Sequence, residues 1–484
     1  LFIVIVPAAS KCQELFFKFE KNKKMLHKQK LNFWQIWNMN FGFFGIQFSF
    51  GLQQSNMSAI YKYLGADEAS LPMLWLAGPV TGLIIQPIIG AISDGTWSPR
   101  FGRRKPFFLI GAVVSSFALV AMPFSSAIWM AASLLWILDA ANNIAMEPYR
   151  AFIADKLPKQ QHSLGFLMQS FFAGLGITLA NFTPAILVAL GILSISDKME
   201  NGIPTYTYWA FFIGAIAAIV SVLISVATTK EYPPTEEELL EIKIQKEKNN
   251  IFKRVYLEIA HAIKTMPLVM KQLIPVKFFT WYAMFCYWEY ITSALSISIF
   301  NTSEQSSEGF SKAQLLTGNL NGTYNIICFL SAFALIPLAV KIGAKGVHFI
   351  ALVLGGIGLV AVPYLDNTTV LFSIYNPFGS NISLSTIYLY SFGLGIAWAS
   401  MLAVPYQLLA GAIPKQKRGV YMGIFNMFIV IPMIIQIITM QYFVYDWLGN
   451  NPINVIRLAG LFLVLGGVFT LFIRVKNKNE VVTN

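Results

Sequence analysis

One phrase occurs twice in this chain, about half its length apart. Residues 147–162 read Glu-Pro-Tyr-Arg-Ala-Phe-Ile-Ala-Asp-Lys-Leu-Pro-Lys-Gln-Gln-His, and residues 404–418 read Val-Pro-Tyr-Gln-Leu-Leu-Ala-Gly-Ala-Ile-Pro-Lys-Gln-Lys-Arg. Pro148-Tyr149 matches Pro405-Tyr406, and Leu157-Pro158-Lys159-Gln160 matches Ile413-Pro414-Lys415-Gln416, at offsets of 257 and 256 residues. A Pro-Tyr pair alone would be chance. The second match, at corresponding loop positions where a long apolar run meets a polar loop, points to two similar halves repeated in parallel. In a membrane chain that is the plan of a rocker-type carrier.

Lipid must be the solvent. Only 12% of the residues are charged and 56% are hydrophobic, against roughly 25% charged in a soluble domain. Spans of about 20 apolar residues are read at 33–60, 70–93, 106–124, 127–150, 164–192, 205–228, 273–300, 315–340, 347–364, 384–407, 419–445 and 454–474. The expected fold is an all-α membrane protein of twelve transmembrane helices in two six-helix bundles. Its expected parts are a tail over 1–30, bundles over 31–228 and 273–474, a linker over 229–272 and a second tail over 475–484. Met25 is the expected natural start, or else the residues before it form a disordered tail. Glu231-Tyr232-Pro233-Pro234 stops the sixth span, and Thr235 to Lys248 is expected to lie as an amphipathic helix on the membrane surface.

The net charge of +12 does not indicate nucleic acid. All Lys and Arg except Lys62, Lys198, Lys312 and Arg457 are assigned to one side, so both termini are expected to be cytoplasmic. Lys outnumbers Arg 27 to 8, which hints at an AT-rich genome and a bacterial inner membrane. Cys12, Cys286 and Cys328 are too scattered for a disulfide framework or a metal site. His27, His162, His261 and His348 fall in loops or at helix ends and receive no role. No nucleophile–base pair, metal cluster or phosphate loop appears, and the soluble segments are short, so an enzyme is not expected. No cofactor is expected either.

The fourth span carries the most chemistry: Leu138-Asp139-Ala-Ala-Asn142-Asn143-Ile-Ala-Met-Glu147-Pro148-Tyr149-Arg150. On a helix Asn143 lies about 40° from Asp139, Glu147 about 80° and Arg150 about 20°. Asp139 sits 11 residues from Arg150, roughly 16 Å deeper and close to the midplane. A charge there costs at least ~2.5–3.5 kcal/mol, so an ionisable group at that depth is expected to serve function. Asp139 is a candidate proton acceptor. Glu147 and Arg150, three residues apart, could equally be a structural ion pair. Amides on the first span (Gln53, Gln54) and aromatic residues on the seventh and tenth (Trp281, Tyr282, Trp288, Trp398) suit a sugar, whose CH faces pack on rings while its hydroxyls meet polar groups. Membrane aromatics are more often packing or interface anchors. Glu289, a carboxylate in the middle of a span, demands a further explanation.

The loop after the second span holds Asp94, a glycine, and then Gly102-Arg103-Arg104-Lys105-Pro106. Its plain reading is a topology signal, but a helix-end carboxylate followed by this order of cations resembles the inner gate motif of the major facilitator superfamily. Asp94, Arg103, Arg104 and, in the second repeat, Arg418 are the candidate gate residues. The resemblance extends over about 33–445 and narrows to the glycoside–proton symporters, the branch with plant sucrose transporters and their bacterial relatives. It rests on Gly45-Ile-Gln47-Phe48, Leu76-Ala-Gly78-Pro79 through Gln86-Pro87, Ser93-Asp94, the fourth span, and Arg150-Ala151-Phe152. Gln169-Ser170-Phe171-Phe172, Phe278-Phe279-Thr280-Trp281, Gly395 to Trp398, and Gly419 to Asn426 are similar to the bacterial members.

That resemblance implies uptake of a glucoside such as maltose or sucrose with a proton, by alternating access. It implies a cavity lined by spans 1, 4, 7 and 10, with Asp139 taking the proton and touching sugar. Candidate coupling residues are Asp139, Glu147 and Glu289. Candidate substrate ligands are Gln53, Gln54, Asp139, Asn142, Asn143, Arg150, Gln169, Trp281, Tyr282, Trp288 and Trp398. The expected partners are a sugar, a proton and the bilayer, and the expected state is a monomer. Gly95, His162 and Glu147 depart from the family pattern, so sugar specificity does not carry over from the plant members. Rival readings are a sodium-coupled glycoside symporter, a proton-antiport exporter, and a membrane sensor that binds sugar without moving it.

Overall fold

The first helix starts on a reciprocal cap. The Asn32 side chain accepts from the Gln35 N–H at 2.9 Å, and the Gln35 side chain accepts from the Asn32 N–H at 3.0 Å, which satisfies two donors that a helix start leaves unpaired. The computed structural model describes residues 28–99, 101–233, 263–375, 381–410 and 418–474. Its first six long helices are α1 (Phe33–Tyr63), α2 (Ala77–Asp94), α3 (Lys105–Ala121), α4 (Ile128–Lys156), α5 (His162–Ala189) and α6 (Thr205–Thr228). The second set is α7 (Leu268–Phe300), α8 (Glu308–Ala361), α9 (Tyr388–Ala410), α10 (Arg418–Thr439) and α11 (Pro452–Leu471). The expected segments over residues 1–27, 235–248 and 475–484 lie outside the described residues.

The stretch labelled α8 is two helices that meet at Gly343, whose φ of 79° and ψ of 152° suit only a residue without Cβ. Spans eight and nine are therefore separate helices, as read, and the loop expected between them is reduced to a break at that glycine. Other ends move by a few residues: α4 continues to Lys156, α7 begins at Leu268, and α10 gives way to a π-helical turn at Met440–Val444.

Among the described residues, nine helices are long and apolar enough to cross a membrane. The first, seventh and eighth spans are not among them. Length is not the reason, since the 31 residues of α1 and the 33 of α7 reach roughly 46 and 50 Å at 1.5 Å per residue. These helices carry buried polar groups instead: Asn40, Gln53 and Asn56 on α1, Lys277 and Glu289 on α7, Gln314 and Asn321 on α8. Elsewhere Phe117, Trp129, Leu330, Phe333 and Ile357 stand exposed along the helices, an arrangement suited to lipid. The chain is a multi-pass membrane protein with polar groups turned inward.

The first described residues and the end of α11 share one end of the molecule, called here the terminal end. Hydrogen bonds between described residues of the two helix sets lie toward the other, far end. Gln314 is their hub. Its Nε2 donates to Asn56 Oδ1 at 2.8 Å and Thr207 Oγ1 at 3.0 Å, and its Oε1 accepts from Tyr63 at 2.9 Å and Tyr206 at 3.2 Å. Asn321 donates to Ser55 Oγ at 2.9 Å, and Lys198 donates to the Ser306 carbonyl at 2.6 Å. The buried Lys62 pairs with Glu68 beside this seam. The far end is shut.

One feature departs from the all-helical reading. Between α8 and α9, β1 (Val370–Tyr375) and β2 (Asn381–Ser385) form a two-stranded antiparallel ribbon. Its run of β-branched and aromatic residues is too short to register against the flanking spans. Asp366 anchors the base, accepting from the N–H groups of Thr369 at 2.5 Å and Thr368 at 2.7 Å. Those bonds, the Thr369 N–H foremost, hold its carboxyl down at about 2.

Candidate functional site: a polar wall facing three tryptophans

Helix α4 brings Asp139 into the protein, 3% exposed. Gln53 of α1 lies beside its carboxyl, and a Cβ on Gly78 of α2 would stand 3.6 Å from its Oδ2. The Gln53 Nε2 has no hydrogen-bond partner. One turn on, Asn142 donates to Ser49 Oγ at 2.9 Å, while its own Oδ1 is left unpaired.

Asn143, expected to bind substrate, is occupied as a staple. It donates to Thr81 Oγ1 at 3.1 Å and to the Asp139 carbonyl at 2.9 Å, and accepts from Gln86 at 2.6 Å. Those bonds hold α2 against α4 and fix the backbone that carries Asp139. Glu147 and Arg150 are 3.8 Å apart, with side chains 37% and 46% exposed, a pair worth little at such exposure. Arg150 lies within electrostatic reach of Tyr406 in the other helix set.

The second set supplies an aromatic wall. Trp281 and Trp288 of α7 and Trp398 of α9 meet edge to face, with ring centroids 5.6 Å apart for both pairs involving Trp398 and 6.4 Å for Trp281–Trp288. Trp288 Nε1 donates to Tyr324 at 3.3 Å, whereas Trp281 Nε1 has no partner. The walls are tied through Ser58, which donates to the Trp288 carbonyl at 3.5 Å and accepts from Trp75 at 3.1 Å. Tyr282 stands apart from the tryptophans. Its hydroxyl meets Thr439 at 2.8 Å and holds α7 to α10. Glu289 is fully buried, accepting from Gln436 at 2.8 Å, while its Oε1 and the Gln436 Oε1 are both unpaired.

Buried polar groups in folded proteins are nearly all paired. Here unpaired atoms fall on Gln53, Gln54, Asn142, Gln169, Trp281 and Glu289, which the sequence singles out, and also on Asn40, Lys277, His348 and Gln436 among others. Donors and acceptors of this kind are what a polyhydroxylated ligand can satisfy.

At the terminal end, Arg104 is buried and donates to Asp155 at 2.8 Å and Ser93 at 2.6 Å. The side chains of Asp94 and Arg418 lie outside the described residues. The chain leaving α6 docks on the same loop: the Glu231 carboxylate accepts from the backbone N–H groups of Arg103, Arg104 and Lys105 at 2.7–3.1 Å. A carboxylate suits the start of a helix, where unpaired N–H groups and the dipole favour negative charge. Tyr232 follows with its ring 3.6 Å from the Lys156 ammonium. Gly102 makes room, since its φ is 83° and a Cβ would lie 2.6 Å from Glu231 Cδ. Gly102→Ala is expected to cost about 1–3 kcal/mol, read as a lower melting temperature of the purified protein; Glu231→Ala should relieve the clash with the new Cβ but not the backbone strain.

One earlier assignment needs correction. Lys277, counted among one-side loop lysines, lies inside α7 and is 1% exposed. Its place four residues into the seventh span was the available signal. His348 does lie near a helix end, five residues past the break at Gly343, but it is fully buried, and its Nδ1 meets Ser400 Oγ at 2.6 Å. Asp155, Glu231 and Gln436 were not singled out, because their roles depend on partners distant in sequence.

Comparison with known proteins agrees with this fold. The family model of the Major Facilitator Superfamily matches residues 39–437. The sucrose transport protein SUT5 of Oryza sativa subsp. indica is 23% identical over 481 residues, covering 88% of this chain and 85% of that protein. The sucrose transport protein SUC4 of Arabidopsis thaliana is 24% identical over 457 residues, covering 88% and 87%. Among solved structures, the nucleoside transporter NupG superposes with a TM-score of 0.61 at 16% identity, covering 90% of this chain and 98% of that one. The inward-open xylose transporter XylE from E. coli gives 0.57 at 15% identity, covering 92% and 96%.

Proposed function

This chain belongs to the Major Facilitator Superfamily, and from that premise we propose that it imports a glucoside of disaccharide size, such as maltose or sucrose, together with a proton. It is a membrane transporter and not an enzyme. The observation that carries the proposal is Asp139: a carboxyl group buried in the span, beside the Gln53 amide. The similarity to sucrose transport proteins across most of both chains supports the sugar.

In the proposed cycle the terminal end is cytoplasmic, and the shut far end makes this the inward-facing state. Sugar and proton enter when the far-end seam opens. Asp139 receives the proton, and Gln53, Gln54, Asn142 and Gln169 hydrogen-bond the hydroxyls. Trp281, Trp288 and Trp398 cover the sugar's CH faces. Coupling needs the protonated, loaded protein to close more readily than either half-loaded form. Glu289, held by Gln436, is a second proton carrier in this scheme, and Arg104 with its neighbours forms the inner gate.

The test is proton flux into proteoliposomes with an internal pH dye, on adding maltose, sucrose, trehalose, melibiose or glucose. Acidification by one disaccharide, unchanged by sodium, is the expected result. A strict sodium requirement would instead favour a sodium symporter, and proton efflux on adding substrate an exporter.

A further inference from the structure

The tryptophan wall rests on a buried charge that the transport scheme leaves unused. Lys277 of α7 is 1% exposed, and its Nζ has no hydrogen-bond partner. Aromatic rings surround it, with Phe425, Tyr406 and Trp281 centroids at 4.9, 5.0 and 5.6 Å. Glu289, the carboxylate on the same helix, is 12 residues away, roughly 18 Å along the axis. An ammonium buried without an anion is costly even with ring faces around it.

Two more unpaired nitrogens accompany it. His348 of α8 lies within electrostatic reach of Lys277 and is fully buried. Ser400 Oγ lies 2.6 Å from His348 Nδ1; in the tautomer in which that hydroxyl donates, Nε2 carries the proton, and Nε2 has no partner. Trp281, one turn from Lys277, adds an indole N–H that is buried and unpaired. The set is an ammonium, an imidazole N–H and an indole N–H, three donors with no acceptor of their own.

We infer that Lys277, His348 and Trp281 form a binding site for a small monovalent anion, with chloride as the free ion that fits. Such an anion supplies the missing counter-charge and accepts from all three donors. Lys277 Nζ stands 5.6 Å from the Trp281 ring centroid, so occupancy of the site acts on a ring of the tryptophan wall. The inference does not rest on the identity of the sugar.

The test reads binding without transport. The melting temperature of the purified protein is compared in sodium chloride and sodium methanesulfonate at equal ionic strength. Chloride at ~100 mM is expected to raise it by ~2 °C or more over methanesulfonate, as a ligand of the folded state does. Lys277→Met and His348→Leu should each abolish that difference, and His348→Leu serves if Lys277→Met does not fold. Equal melting in the two salts, or a chloride effect that survives in the variants, overturns the site. A parallel arm compares glucuronate with glucose. Stabilisation by glucuronate and not by chloride would also overturn the free-ion site, assigning the donors to a ligand's own carboxylate.

Discussion

Asp139→Asn is expected to abolish accumulation of sugar against its gradient while exchange of internal for external sugar continues. Asn has the size of the protonated acid and cannot release a proton, so the variant is locked in one half of the coupling cycle. Gly78 leaves room beside the side chain, and Asn143 fixes the Asp139 carbonyl through its own bond, so the backbone should not move. Equilibrium sugar affinity should change by less than ~tenfold, about 1.4 kcal/mol, whereas the accumulation ratio should fall to one. The measurement is counterflow beside proton-driven uptake in the same vesicles. Persistent accumulation would remove Asp139 as the proton carrier and leave Glu289 as the remaining buried candidate. Loss of counterflow together with accumulation would make it a sugar ligand first.

The sequence announces some of this architecture more clearly than the rest. Spans are legible because lipid demands about 20 apolar residues in a row, and the sixth was read at the bounds the structure gives it. The division between spans eight and nine, read between 340 and 347, falls at Gly343, where a positive φ breaks the helix. Asp139 and Glu289 stood out because a lone carboxylate in an apolar run is conspicuous. Asn143 stood out equally, yet it staples α2 to α4, since facing direction depends on Thr81 and Gln86, which lie 62 and 57 residues away. Lys277 was hidden by its position near a basic loop, where one more lysine reads as topology. The repeated Pro-Tyr phrase revealed the duplication but not its divergence. Tyr149 is buried in its own helix set on Met39 and Ser225, whereas Tyr406 lies between Lys277 and the opposite set's Arg150.

Gln314→Leu is expected to shift the resting protein toward a state open at the far end. Leucine keeps most of the volume and removes all four hydrogen bonds by which this one amide holds Asn56, Tyr63, Tyr206 and Thr207. At a net ~0.5–1.5 kcal/mol each, their loss weakens the shut state by about 2–6 kcal/mol, a factor of roughly 30 to 25,000 in the ratio of states. Asn56 Oδ1 and Thr207 Oγ1 gain from opening, because water can then satisfy them, while Tyr63 and Tyr206 keep their bonds to Ser311. Spin labels on Asp197→Cys and Glu304→Cys, in the far-end loops that Lys198 and Ser306 bring together, would report the change. Their distance distribution should lengthen in the Leu variant, and uptake should slow because the inward-facing state becomes the costly one. An unchanged distribution would mean that Asn321–Ser55 and Tyr63–Ser311 close the seam without Gln314. The lock would then be shared along α1 instead of concentrated at one amide.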